Sequence, residues 1–330
     1  MEDVARAAGV STATVSRVLN NPELVASDTA ARVQRTISEL GYRPNVFAQG
    51  LMTRKSRLLG IALPDIHGEF YSELLRGADA EARRQGYHLI ISSEVRDGET
   101  GLTSAVGFVS GVAVMLTEPN QTLWKEVQAS TIPMVVIDTD IGEPEVDRIL
   151  VDNAPGTRAA VLHLLESVQP DHCFFVGGPR ENFDTAQRAR VFADCLGSRG
   201  VRVGDSQVRL GEYSVEWGHT CGNQILQANG KAPVGILAAN DEIAFGVMMA
   251  AADRGLNVPE DVRVVGFDDT RLASLMRPGL STVRVPMAEV GAAAIRTLIA
   301  RIDKPDSPAT SIRLPTELII RGTSSPARRT

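Results

Sequence analysis

The chain has 330 residues, 22% of them charged and 43% hydrophobic, which is enough for two or three domains with a sizeable buried core. No apolar run approaches a membrane span and no basic stretch precedes an apolar one at the N-terminus, so neither anchor nor signal peptide is expected and the chain is placed in the cytoplasm. The net charge of −6 hides an asymmetry: residues 1–57 hold eight Lys or Arg against five acids, a net of +3, leaving −9 for the rest, and a small basic head on a large acidic body binds phosphates through the head alone.

The run EDVARAAGVSTATVSRVLN predicts two short helices joined by a tight turn. Ala5 is small enough for close helix approach, Gly9 takes the left-handed conformation of the turn, and Val15 buries the second helix against the first. Ser11 is the expected N-cap of a helix starting at Thr12, which leaves Thr12, Ala13, Thr14, Ser16 and Arg17 on faces not claimed by Val15, Val18 and Leu19. This is the pattern of a helix-turn-helix, and small core hairpins also match it. After Asn20 and Asn21 a loop leads to a third helix over 28–40, with Val33, Ile37 and Leu40 on one face and Gly41 at its C-terminal end. Three helices make a headpiece of residues 1–43. In GYRPNVFAQGLMTRKSR, Pro44 breaks the chain and Asn45 caps one or two turns reaching about Met52. So short a helix does not hold its own hydrogen bonds in water and orders only when docked. Leu51 stands as an exposed apolar residue beside Arg54, Lys55 and Arg57; taken alone, 44–57 reads as a solvated linker.

From Leu58 onward short apolar strands alternate with amphipathic helices. The first series runs LLGIAL, a helix over 69–85, HLIISS, GVAVML, a helix over 121–129, and PMVVID. The second runs ILVD, a helix opening near Pro155, CFFVGG, a helix over 185–196, VGILAA, a helix over 243–254, and VRVVGF. Each series is expected to build its own parallel sheet in an α/β body. Ligands in such sheets sit at the C-terminal strand ends, and two facing sheets make a cleft. Strand ends place Phe70, Tyr71, Thr117, Asp152, Asn153, Asp268 and Asp269 there. Asp152, Asn153, Asn240 and Asp268 also precede helices and fit N-caps equally well, and Phe70 fits a core aromatic. The three cysteines, Cys173, Cys195 and Cys221, are odd in number and far apart, so buried thiols are expected rather than disulfides or zinc ligands. The histidines, His67 among them, show no metal spacing. No G-x-G-x-x-G, G-x-x-x-x-G-K-[ST] or G-x-S-x-G is present, which leaves a Rossmann-like enzyme without its motifs.

The run VSTATVSRVLN, the segment GYRPN and the hinge NVFAQGLMTRKS, in this order and spacing, resemble the lactose-repressor/galactose-repressor (LacI/GalR) family of bacterial transcription regulators. The match continues through the body to IIRG and covers nearly the whole chain. The resemblance implies an N-terminal three-helix helix-turn-helix headpiece plus a hinge helix, residues 44–57. A two-lobed periplasmic-binding-protein-like domain of two doubly wound parallel sheets then spans 58–330. Its N-lobe would be about 58–155 and 283–313 and its C-lobe about 156–282 and 314–330, with crossings near Pro155, Val283 and Leu314.

The resemblance also assigns roles. The second helix enters the major groove with Thr12, Ala13 and Arg17 at bases, Ser11, Thr14 and Asn20 near phosphates, and Ser16 on the same groove-facing side. Arg17 is able to reach guanine O6 and N7 with both nitrogens. Paired hinge helices, with Asn45, Ala48 and Leu51 at the DNA, insert Leu51 into the minor groove, where an apolar wedge unstacks a base step and kinks the duplex. In the cleft the family pattern adds Arg188, Tyr213 and Asn240 or Asp241 to the strand-end residues, with Trp217 as the alternative aromatic. The function implied is a sequence-specific repressor of operator DNA with an inverted repeat. A small effector controls it: a sugar or sugar derivative, or a purine or nucleoside corepressor. The chain holds no leucine heptads after IIRG, and the hinge helices need each other, so a homodimer is expected. No cofactor, metal, membrane partner or catalytic residue is implied. A cytoplasmic solute-binding module would share the body's fold without the headpiece. Three departures from the family pattern stand out. Met1 lies where a capping Thr or Ser usually precedes the first helix, Gly50 costs the hinge helix about 0.8–1 kcal/mol relative to alanine, and DGETGLTSAVGFVSG is shorter and richer in glycine than the family's second body helix.

Overall fold

The structure is a computed structural model that describes residues 1–42, 56–64, 66, 68–93, 108–115, 132–139, 146–230 and 233–325. The chain divides into two units, Met1–Arg57 and Leu58–Thr330. The hinge residues Asn45, Ala48 and Leu51, the expected helix over 121–129, Thr117 and His67 lie outside the described residues.

In the first unit, α1 (Glu2–Ala8) ends on Gly9 at φ 63°, the left-handed conformation that glycine adopts without a Cβ penalty. Its N-cap Met1 makes no side-chain cap bond. Ser11 caps α2 (Thr12–Asn20), its hydroxyl accepting the Thr14 N–H at 3.1 Å. A third helix, α3 (Ser27–Glu39), completes a core of Val4, Ala5, Ala8, Val15, Val18 and Val33. From α3, Arg32 Nε donates to the Ala8 carbonyl at 3.0 Å, so a cation meets the unpaired carbonyls that end α1. Leu40 departs from expectation: it is 51% exposed. The helix stops at Glu39, and the buried stripe is completed instead by Thr36, whose hydroxyl donates to the Arg32 carbonyl at 3.1 Å.

Among the described residues the second unit contains two six-stranded sheets. The first comprises β1 (Leu58–Ala62), β2 (His88–Ser92), β3 (Val112–Met115), β4 (Met134–Ile137), β5 (Asp147–Asp152) and β11 (Ser311–Pro315), in the order β11-β5-β4-β3-β1-β2. The second comprises β6 (Cys173–Gly177), β7 (Val208–Leu210), β8 (Val234–Ala238), β9 (Val262–Asp268), β10 (Ser281–Arg284) and β12 (Glu317–Ile319), in the order β12-β10-β9-β8-β6-β7. The ILVD strand, read as opening the second series, is β5 and pairs in parallel with β4 in the first sheet. The second sheet is not wholly parallel, because β12 runs antiparallel to β10 at its edge. Strands β1, β3, β4, β6 and β8 are buried along their whole length, as expected where helices cover both faces of a parallel sheet.

Among the described residues seven further α-helices cover the sheets: α4 (Gly68–Arg84), α5 (Asn153–Leu165), α6 (Phe183–Gly197), α7 (Val215–Asn229), α8 (Asp241–Asp253), the short α9 (Arg271–Leu275) and α10 (Met287–Asp303). In each lobe one helix pair meets backbone to backbone. A Cβ on Gly77 of α4 would fall 1.8 Å from the Ala288 carbonyl oxygen of α10, and one on Gly291 of α10 would fall 2.1 Å from that of Leu74. In the other lobe Gly218 of α7 stands to Ile243 of α8, and Gly246 of α8 to Val215, at 2.2 and 2.1 Å.

Among the described elements the chain passes between lobes three times: from β5 into α5, from β10 into α10, and from β11 into β12. The last two passages fall just after Arg284 and at Thr316, so Val283 is still in the second sheet and Leu314 still in the first. These passages are tied together. The Thr316 hydroxyl donates to the Asp152 carbonyl at 2.7 Å and accepts the Gly156 N–H at 3.1 Å. A Cβ on Gly156 would lie 2.3 Å from Val283 and 2.4 Å from Thr316, so only glycine lets the three segments touch.

Candidate functional site

Two surfaces carry chemistry. On the headpiece, α2 buries Val15 and Val18 and leaves Thr12, Ala13 and Arg17 exposed, with Thr14 and Ser16 half-buried. Ser11 is exposed, and its hydroxyl also bonds the Thr14 hydroxyl at 2.9 Å. The Asn20 side chain lies outside what the structure describes.

The second surface is the cleft where the strand ends of the two lobes meet. Arg188, on α6, is only 3% exposed. Its Nε donates to Asn153 Oδ1 at 2.9 Å, one terminal nitrogen donates to the Ala239 carbonyl at 2.6 Å, and the other lies 3.6 Å from the Asp184 carboxylate. The guanidinium stacks 3.7 Å from the centroid of the Phe267 ring. Buried charge costs several kcal/mol unless paired and hydrogen-bonded, and here both conditions are met. Asn153 extends the network, donating to Asp184 at 2.6 Å and to Gln187 at 3.2 Å.

Two further carboxyls face the same guanidinium. Asp138, at the end of β4 with φ 57°, is buried and accepts the Val151 N–H at 3.3 Å. Burial, followed by the charge of Asp184 and a hydrogen bond with it, holds the Asp138 carboxyl well above the ordinary carboxylate range. Asp268 sits at the end of β9 with φ 107°; burial raises its carboxyl too, although Arg188 pulls the other way. Tyr213 closes this end. Its hydroxyl bonds Thr185 at 2.7 Å and donates to Asn182 at 3.0 Å, and burial raises the phenol above its usual value. Trp217 is committed elsewhere, donating its indole N–H to the Gly177 carbonyl at 3.0 Å.

Asp241 holds the turn that carries Asp268. One carboxylate oxygen accepts the Thr270 N–H and hydroxyl at 2.8 and 2.9 Å, and the other accepts the Thr282 hydroxyl at 2.6 Å. A Cβ on Gly266 would lie 2.4 Å from that second oxygen, so the glycine makes room for the carboxylate. Burial pushes Asp241 up to about 6, against the hydrogen bonds that lower it. Phe70 and Tyr71 stack edge to face on the first turn of α4, ring centroids 5.2 Å apart. Phe70 lines a cavity of about 460 Å³ with Asp268, Asp269, Arg284, Val285 and Met287.

The structure thus gathers Arg188 and Tyr213 with Asp268 at the inner end, and Phe70 with Asp268 at the outer cavity. Asn240 caps α8, its Oδ1 accepting the Ile243 N–H at 2.9 Å. Asp152 precedes α5 without a side-chain cap bond. The sequence reading missed Asp184, Asp138 and Phe267. Asp184 was signalled by its position four residues before Arg188 on a helix, the spacing of an ion pair. Asp138 ends PMVVID as Asp268 ends VRVVGFD.

Residues 1–45 match the lacI family of bacterial regulatory proteins, and residues 163–324 match a periplasmic binding protein-like domain. Over 323 residues, 97% of either chain, the sequence is 33% identical to catabolite control protein A of Priestia megaterium. It is 31% identical over 336 residues to the HTH-type transcriptional regulator DegA of Bacillus subtilis (strain 168), covering 98% of this chain and 97% of that one. The chain belongs to the lacI family of bacterial regulatory proteins. Among solved structures, the Lac repressor bound to ONPG in the repressed state superposes on this lacI-family chain with a TM-score of 0.86 at 27% identity, over 97% of this chain and 98% of that one. As a lacI-family member it is a DNA-binding transcriptional regulator, with the helix-turn-helix and two-sheet architecture read from its sequence. Among the described residues no helix is long and apolar enough to cross a membrane, and no group of three His, Cys, Asp or Glu is placed to hold a metal ion.

Proposed function

We propose that the protein is a homodimeric repressor whose affinity for an inverted-repeat operator is set by a small polar ligand in the interlobe cleft. The carrying observation is the exposed face of α2, where Thr12, Ala13 and Arg17 are free of the packing that holds Val15 and Val18. Arg17 reads a guanine edge, Thr12 and Ala13 make methyl contacts, and Ser11, Thr14, Ser16 and Asn20 approach phosphates. The hinge, with Asn45, Ala48 and Leu51, inserts Leu51 at the operator centre. A solved Lac repressor dimer is bound to operator and an anti-inducer, which supports reading this chain the same way. In the cleft, Arg188 and Asp268 present hydrogen-bonding edges. Phe70, Tyr71 and Tyr213 offer apolar faces, and Thr117, Asp152 and Asn240 contribute from the remaining strand ends. A sugar or sugar derivative is the ligand class. The cleft binds rather than catalyses, and the protein works in the cytoplasm, where its DNA is. The test is selection of bound duplexes from a random library across a salt series. Recovery of one inverted repeat, lost by about 1–3 kcal/mol at a single base position in Arg17→Ala, is expected. Sequence-blind binding by the wild type would overturn the reading.

A further inference from the structure

We propose that a proton shared between Asp138 and Asp184 latches the two lobes together, so that the cleft closes in mildly acidic solution and opens as pH rises. The latch needs neither ligand nor operator.

The two carboxyls belong to different lobes and sit astride one of the passages between them. Asp138 ends β4 of the first sheet and is held to β5: its backbone N–H donates to the Ile149 carbonyl at 2.7 Å, and its carboxyl accepts the Val151 N–H at 3.3 Å. Asp184 lies in the first turn of α6, in the other lobe, and accepts from the Asn153 side chain at 2.6 Å. Val151 precedes the passage from β5 into α5, and Asn153 follows it. Rotation of the lobes about that passage carries one carboxyl with Val151 and the other with Asn153, and so parts them. Here they are hydrogen-bonded to each other and largely out of water, with Asp138 4% exposed and the Asp184 side chain 13%.

Two ionised carboxylates are acceptors only and repel each other, so a buried pair in contact holds a proton between them. Its position follows from the neighbouring donors. Asp184 already accepts from Asn153 and lies 3.6 Å from the Arg188 guanidinium. Among the described residues Asp138 accepts one N–H, that of Val151, so Asp138 carries the proton and donates it to Asp184. The charged groups facing Asp138 are Asp184 and Arg188 of α6, while β5 meets it with backbone. Asp268 of β9 and Tyr213 face the same guanidinium from within the lobe of Asp184, and Asp241 and Glu242 of α8 face Asp268.

The sign of the pH dependence follows. In the latched arrangement burial, then the charge of Asp184 and the hydrogen bond with it, raise the Asp138 carboxyl, against the pull of Arg188. Parting the lobes returns it to water and to the ordinary carboxylate range, so the closed form binds the proton more tightly than the open one. The latch is at full strength below that ordinary range and is lost as pH rises through the raised value.

The test is small-angle X-ray scattering of the full chain, eluting from a size-exclusion column, from about pH 5 to about pH 9. The infrared band of protonated carboxyl groups is followed over the same series. In the wild type the radius of gyration should rise with pH at the midpoint where a carboxyl band is lost, the closed-to-open ratio falling by up to about tenfold per pH unit. In Asp138→Asn and Asp184→Asn an amide N–H replaces the shared proton, so both should keep the wild type's low-pH dimensions throughout. Asp241→Asn removes a carboxyl within one lobe and should open as the wild type does. Constant dimensions in the wild type overturn the inference. So do separate midpoints for band and dimensions, or wild-type opening in the variants at 138 and 184. Where one of these two does not fold the other decides, and the wild-type midpoints decide if neither folds. No ligand or DNA enters the measurement, so a failed effector or operator reading leaves it intact.

Discussion

The two lobes close their outer layers in the same way and furnish the cleft very differently. In each, a helix pair meets at backbone contact through reciprocal glycines, Gly77 with Gly291 and Gly218 with Gly246. At the cleft, however, the C-lobe supplies Arg188, Asp184, Asp241, Asp268 and Tyr213, whereas the N-lobe brings Asp138, Phe70 and Tyr71. The shared helix crossings stiffen both lobes. On the proposed reading of the cleft, the unshared polar network would make one lobe the chemical half of the site and the other its cover.

Removing the chemical half's anchor has the largest expected effect. Arg188→Ala leaves Asp184 and Asp138 buried beside no cation, and urea unfolding should show a loss of about 3–5 kcal/mol. Wild-type stability in that variant would mean the C-lobe network does not depend on its arginine. The likeness of the lobes is tested next by Gly77→Ala and Gly218→Ala, measured in parallel. Each added methyl meets a carbonyl oxygen, at 1.8 and 2.2 Å, so each should cost about 1–3 kcal/mol, and a large disparity would break the symmetry. A third test uses pH. Asp241 has a folded value near 6, above its ordinary 3.8, so the folded state binds this proton more tightly than the unfolded one. Its contribution therefore falls as pH rises from about 4 to 6, by on the order of 2 kcal/mol, and stays low above that. Unfolding free energies of Asp241→Asn over the same window should lose that slope. Smallest is Phe70→Ala. The ring is half-buried, so stability should change by about 1 kcal/mol, while ligand affinity measured by calorimetry weakens about tenfold. An unchanged affinity would take Phe70 out of the cover.

The headpiece and the strands were legible because their signals are local. Gly9 and Ser11 act within one turn of the residues they order, and a strand buried on both faces reads as an unbroken apolar run. Sheet membership was harder to read: ILVD follows PMVVID closely yet opens a new helix, so chain order alone could not say which sheet it joins. Beyond VRVVGF the strands β10 and β12 are four and three residues long, too short for a period. Helices α7 and α10 contain Gly218, Gly222 and Gly291, residues that read as breakers when isolated and prove to be the points of closest helix contact. In the buried polar network, Arg188 was visible by position. Asp138 was not, since it meets Asp184 only when the ends of two sheets are brought together.

The tie at Thr316 has a mechanical consequence. With the Thr316 hydroxyl bonded to both the Asp152 carbonyl and the Gly156 amide, and Val283 close against Gly156, the three connecting segments are tied together rather than independent. A bundle of that kind has little freedom to shear or splay, and what remains is rotation about one line through the knot. On the proposed reading, a ligand held in the cleft would act on the angle between the lobes through this one tie.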